Sequence, residues 1–188
     1  MSGRIREKLE DCPVIAAVKD DEGLKECLET DCEIIFILYG DIMNIAEIVE
    51  RVKSVGKLAM VHMDLIAGLG SKEVSVDFIR KATRADGIIS TKPTLIRRAR
   101  ELKLYTVMRF FVIDSMAVES VYRQCEQARP DCIEILPGLM PKVIKRIAGA
   151  VQEPVIAGGL ITDKEDVMSA LNAGAVSIST TNKALWYA

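Results

Sequence analysis

The chain lacks a long apolar run: the longest, IIFIL at 34–38, falls far short of the roughly 20 residues that a membrane-spanning helix needs. It lacks a targeting segment, because MSGRIREKLEDC at the start is charged and has no apolar core. It lacks a cysteine framework: Cys12, Cys27, Cys32, Cys125 and Cys132 form an odd set with no CxxC pair, which argues against disulfides and structural zinc. A net charge of -2 supplies no global field for nucleic acid or acidic lipid. There is no RNP-type aromatic motif, no GXXG loop of the KH kind and no metal-ligand spacing. These absences predict a cytoplasmic protein without membrane partner, metal or cofactor.

What is present is a folded composition, with 49% hydrophobic and 28% charged residues over 188 positions, enough for a sizeable core. Short β-branched runs alternate with amphipathic stretches. Strands are expected at 13–19, 33–38, 57–64, 86–91, 104–113, 131–136, 153–158 and 175–180. Most are apolar throughout instead of alternating, as strands covered on both faces are. Ile42, Ile45, Ile48, Val52 and Val55 follow helical spacing ahead of Gly56, and Val118, Val121, Tyr122, Cys125 and Ala128 mark a second stripe. Thr162 to Glu165 has capping-box spacing before Val167, Ala170 and Leu171. The reading is an α/β fold, one compact (β/α)8 TIM barrel over 1–188, with 1–12 a candidate helix capping its bottom. An open doubly wound sheet has the same alternation and stays open.

Polar residues gather at the C-terminal ends of these strands, where barrel sites lie. Lys19 ends the first strand, His62 and Asp64 the third, and Ser90, Thr91 and Lys92 the fourth; Arg109 lies in the fifth and Glu134 in the sixth. His62 and Asp64 share strand parity, as do Ser90 and Lys92. The set reads as a binding mouth, or as an ion-pair network that closes the barrel top. Met60, Met63, Met108, Met116 and Met140 read as core or loop packing. Arg97, Arg98, Arg100 and Lys103 on one helix, and Lys142, Lys145 and Arg146 on another, read as solvated faces, with an RNA patch the rarer alternative.

The seventh strand runs into Gly158-Gly159 and the eighth into Ser179-Thr180-Thr181-Asn182. Glycine amides, a helix start and hydroxyls after these two strands favour phosphate; the alternative is that the glycines only relieve crowding. Asp64 and Glu134 can accept from hydroxyls, and Lys19, Lys92 or Arg109 can offset the phosphate charge. A small polyol phosphate fits. So does an enzyme on a phosphorylated triose or sugar, with His62, Asp64 and Glu134 as acid or base.

VHMDLIAGLG (61–70), DGIISTK (86–92), RFFVIDS (109–115), EILPGLMPKVI (134–144), PVIAGGLITDKEDV (154–167) and AGAVSISTTNKALW (173–186) resemble, in order, the bacterial glycerol uptake operon antiterminator family. The similarity runs from VIAAVKD at 14–20 to Trp186. The resemblance implies a regulator instead of an enzyme, one that senses glycerol 3-phosphate and prevents termination at an inverted repeat in leader mRNA. It implies Gly158, Gly159, Ser179 and Thr180 at the phosphate, and Asp64, Arg109 and Glu134 toward the glycerol moiety. One departure is Met108, where the family often has glutamine. The RNA-contact residues are unassigned, a homo-oligomer is left open, and the loop GLGSKEV at 68–74 is a candidate lid or an ordinary rigid turn.

Overall fold

A computed structural model describes residues 2–187. A first helix, α1 (Ser2–Asp11), precedes eight parallel strands: β1 (Val14–Val18), β2 (Ile34–Ile37), β3 (Leu58–His62), β4 (Gly87–Ser90), β5 (Tyr105–Phe111), β6 (Cys132–Leu136), β7 (Val155–Gly158) and β8 (Ser177–Thr180). Between them lie α2 (Asp21–Cys27), α3 (Ile45–Ser54), α4 (Glu73–Ala82), α5 (Pro93–Glu101), α6 (Ser115–Ala128), α7 (Pro141–Ala148) and α8 (Lys164–Asn172). A 3-10 helix, Lys183–Tyr187, follows β8.

The sheet closes. Ile15 of β1 lies opposite Ser179 of β8, in a ring ordered β1 to β8. That pairing decides between the barrel and the open sheet, which no count of strands could do.

Successive residues of each strand enter two different cores. Ile15, Ala17, Ile34, Phe36, Met60, Ile89, Val107, Cys132 and Ile156 fill the barrel interior, and their sequence neighbours pack under the helices. Both environments are apolar, which is why the strands do not alternate in polarity. Ile5 and Leu9 of α1 belong to the interior cluster, at 2% and 1% exposure, so the first helix plugs the bottom. Gly87 is where the interior is tightest, since a β-carbon there would lie 2.6 Å from Met60 Cε.

Several boundaries move inward. β3 stops at His62, and Met63–Leu65 forms a 3-10 turn, so Asp64 leaves the strand and does not share His62's parity. Ile42 and Val55 fall outside α3 and are exposed, at 43% and 48%. Met60, Met63 and Met108 are buried and Met140 is half-buried, but Met116 is exposed on the first turn of α6. The capping box at 162–165 is not formed. Asp163 is the cap of α8, accepting from the Asp166 amide at 2.9 Å, because Asp166 instead draws in the amide and hydroxyl of Thr162.

Candidate functional site

Arg109 and Glu134 lie side by side in the β5–β6 register, both on the interior face that Val107 and Cys132 define one layer below. The Arg109 Nε donates to Glu134 Oε2 at 2.6 Å, and the Ser179 hydroxyl, from β8, donates to the other carboxylate oxygen. Glu134 is fully buried and Arg109 is 8% exposed. Taking two charges out of water costs several kcal/mol per ion, and such a pair persists only when its geometry offsets that cost. Here each carboxylate oxygen has a donor.

The double glycine belongs to this assembly. A β-carbon at Gly158 would lie 2.5 Å from Glu134 Oε1 and 2.6 Å from the Ser179 hydroxyl, so only glycine admits their approach. Gly159 turns the chain with φ +75°, and Leu160 continues at φ +63°. The crowding explanation for Gly158 therefore holds. It leaves the amides of the same turn free for a second use.

Asp64 sits apart, at the tops of β3 and β4. Its carboxylate accepts from Lys92 Nζ at 2.7 Å, the Thr91 amide at 2.8 Å, and the hydroxyls of Ser90 and Thr91. Burial works to raise its pKa, but the Lys92 ammonium and the Thr91 amide outweigh it and hold the carboxyl below its usual value. Ser90 follows Ile88 on the outer face, and its hydroxyl also accepts from the Lys92 amide at 3.1 Å. Lys92 and Asp64 thus tie two strand ends together.

His62 shares the interior face with Met60 and is 2% exposed. Both ring nitrogens are buried without a hydrogen-bond partner among the described residues. Burial, and then the Arg109 guanidinium, push its pKa down to about 4, so the imidazole is neutral at physiological pH. An orphaned buried polar group costs about 1–3 kcal/mol. Lys19 lies just past β1, exposed, on the parity of Ile15 and Ala17.

A cavity of about 420 Å³ opens on the β5–β8 side of the mouth, lined among others by Arg109, Glu134, Gly159, Leu160, Ser179 and Thr181, and its lining does not include His62, Asp64, Lys92 or Lys19. Its two hydroxyl candidates are already engaged. Ser179 serves Glu134, and Thr180 Oγ1 donates to the Ile161 carbonyl at 3.0 Å and accepts from the Asn182 amide. Asn182 Nδ2 donates to the Thr162 carbonyl at 2.7 Å, so the loops after β7 and β8 are bound to each other. Among the described residues, the amides of Gly159, Leu160 and Thr181 donate to no protein acceptor. The α8 start is a poor anion site, because Asp163 fills its first turn and Glu165 and Asp166 add negative charge. Leu160 carried no sequence signal, since leucine does not favour positive φ.

Elsewhere, a hollow of about 600 Å³ lies at the bottom between the ends of α6 and α7, away from every mouth residue. Arg98 is paired with Asp77 and Glu101, Arg100 donates to the Ala128 carbonyl, and Arg146 pairs with Glu119. Three of these seven cations are thus engaged, while Arg97, Lys103, Lys142 and Lys145 stay exposed. Met108 is fully buried in the outer core, so the position before the strand-five arginine faces away from the mouth. No helix among the described residues is long and apolar enough to cross a membrane.

A family model described as glycerol-3-phosphate responsive antiterminator matches residues 14–186. A glycerol uptake operon antiterminator regulatory protein from Listeria monocytogenes is 33% identical, with a TM-score of 0.89 over 92% of this chain and 94% of that one. A related antiterminator-like structure from Thermotoga maritima is 36% identical, with a TM-score of 0.83 over 93% and 98%. Escherichia coli YgcP is 45% identical, over 93% of this chain and 91% of its own.

Proposed function

The chain belongs to the glycerol-3-phosphate responsive antiterminator family, and from that premise we propose that its barrel mouth binds glycerol 3-phosphate and that the occupied protein acts on a leader mRNA. One observation carries the ligand assignment: a buried, mutually bonded Arg109–Glu134–Ser179 assembly faces the same cavity as three unengaged amides. The phosphate takes the amides of Gly159, Leu160 and Thr181, beside the Asn182-capped start of the 3-10 helix. The remaining guanidinium nitrogens of Arg109 and the exposed Lys19 offset its charge. Glu134, whose oxygens each retain a lone pair, accepts from a ligand hydroxyl.

An enzymatic reading needs a free acid–base pair. Asp64 accepts from several donors and Glu134 from two, and both act as anchors. Against the effect of burial, the Lys92 ammonium and the Thr91 amide hold the Asp64 carboxyl below its usual value, so it keeps its charge. That favours binding over turnover. Regulation then follows by linkage: the effector binds the transcript-competent conformation more tightly and shifts the population toward it.

Calorimetric titration with glycerol 3-phosphate, followed by phosphorus NMR of the recovered ligand, tests this reading. Saturable binding with unchanged ligand is the expected result. A chemically altered ligand would make the protein an enzyme, and no binding at millimolar concentration would overturn the ligand assignment.

A further inference from the structure

We propose that His62 is the specificity group of this mouth, recognising a neutral hydroxyl at the end of the ligand away from the phosphate. The inference rests on the polyol-phosphate reading above. His62 is the single histidine of the chain, and it is 2% exposed with both ring nitrogens unpartnered. Buried polar groups elsewhere in the mouth are satisfied: Glu134 by Arg109 and Ser179, Asp64 by Lys92 and Thr91, Thr180 by Ile161 and Asn182. Among the described residues, the two imidazole nitrogens are the buried side-chain atoms left without a partner, and a native protein rarely tolerates that without a use.

His62 is not itself in the cavity lining but lies beside a residue that is. Ile37 lies opposite Val61 in the β2–β3 register, which sets Leu38 beside His62, and Leu38 lines the cavity. The Arg109 guanidinium is near enough to act on the ring's charge. The free amides lie across the mouth, after β7 and β8. A ligand with its phosphate on those amides therefore extends its far end toward β3.

The chemistry selects what that end must be. A neutral imidazole offers one donor and one acceptor on opposite edges of the ring, and hydroxyls, which donate and accept, can answer either one. A carboxylate or a second phosphate only accepts, so it would leave one ring nitrogen unpaired and set a negative charge near Glu134. A methyl group would leave both unpaired. Sites built to hydrogen-bond a hydroxyl reject analogues that lack it far more strongly than apolar pockets reject an added one. The ligand class is a monophosphate of a neutral polyol, and an end that presents only a carboxylate or a second phosphate to His62 is disfavoured.

The test compares glycerol 3-phosphate with n-propyl phosphate, which has the same phosphate and carbon chain without the hydroxyls. The wild type is expected to prefer the former by about 100-fold or more. His62→Phe keeps a ring in the space and removes both nitrogens. It should cut that preference at least ~10-fold and change propyl phosphate affinity less than ~3-fold. His62→Gln, which retains a donor and an acceptor, should recover part of it. A wild-type preference that survives in His62→Phe overturns the proposal. Binding of neither phosphate by the wild type removes the ligand reading and this inference with it.

A second measurement needs no variant. With one histidine in the chain, nitrogen-15 NMR of the ring reports on this site alone. Saturation with glycerol 3-phosphate should shift both ring nitrogens and slow exchange of the ring proton, whereas propyl phosphate should do neither. Ring signals unmoved by bound glycerol 3-phosphate would sink the assignment.

Discussion

Glu134 and His62 hold opposite positions in the mouth, one anchored by two donors and one without a partner, and they fail differently when changed. Glu134→Ala would leave the Arg109 charge buried without a counter-ion, a change expected to cost about 3–5 kcal/mol of stability. Glu134→Gln keeps the shape and should cost less. Urea denaturation of the two variants beside wild type checks the order. For His62 the sign follows from a folded pKa of about 4 against 6.5 when unfolded. Between those values the unfolded chain binds more protons, so stability falls as pH drops from about 6.5 toward 4. The full window is worth on the order of 3 kcal/mol. His62→Gln removes this contribution, so wild type should lose more stability than the variant between pH 7.5 and 4.5. Equal losses in paired thermal melts would show that the imidazole is not held neutral.

At the scale of elements, the bottom helix and the turn after β7 are the two places where one side chain decides a whole segment. Leu9 anchors α1 inside the barrel. Leu9→Ala should destabilise by about 2–5 kcal/mol through lost burial and a cavity, and hydrogen exchange at the bottoms of β1 and β2 should rise with it. The turn after β7 answers to Gly158, where a methyl group would push apart Glu134 and Ser179. Gly158→Ala is expected to remain folded at 25 °C with lower stability and to weaken glycerol 3-phosphate binding at least ~10-fold, since the guanidinium and amides lose their common geometry. Titration of the variant showing wild-type affinity would dissociate the glycine from the site. At this scale the sequence was informative about existence and poor about ends. It placed all eight strands and the capping helix. It ran β3 on to Asp64, because MVHMD reads as a strand until the hydrogen bonds from Ser90, Thr91 and Lys92 pull the carboxylate across to β4.

Across the whole molecule the charge is divided. Residues 1–50 carry 5 basic and 13 acidic side chains, net -8, and the remainder 20 and 14, net +6. The proposed polyanionic transcript would be disfavoured by the acidic first 50 residues and favoured by the remainder. If the protein binds a leader hairpin as proposed, affinity should fall about 10-fold to 100-fold between 50 and 200 mM salt, reflecting a few phosphate contacts. Fluorescence anisotropy with labelled RNA, with and without glycerol 3-phosphate, measures both the slope and the coupling. Affinity that ignores both salt and effector would leave the barrel a metabolite sensor working through protein contacts.

By itself the sequence determined the alternation of strand and helix, the bottom helix, the side of the barrel on which polar residues collect, and the family. Those features rest on local periodicity and on strand direction, which a chain carries in its order of residues. Only the tertiary structure decided closure, because β1 and β8 are 163 residues apart from Val14 to Ser177 yet pair as neighbours. It also decided the division of labour in the mouth. Glu134 finds Arg109 and Ser179, Asp64 finds Lys92, and His62 finds no partner, on strands that no spacing rule connects. Hydrogen-bond satisfaction is a property of groups brought together by folding, so which of them remains open for a ligand cannot be read along the chain.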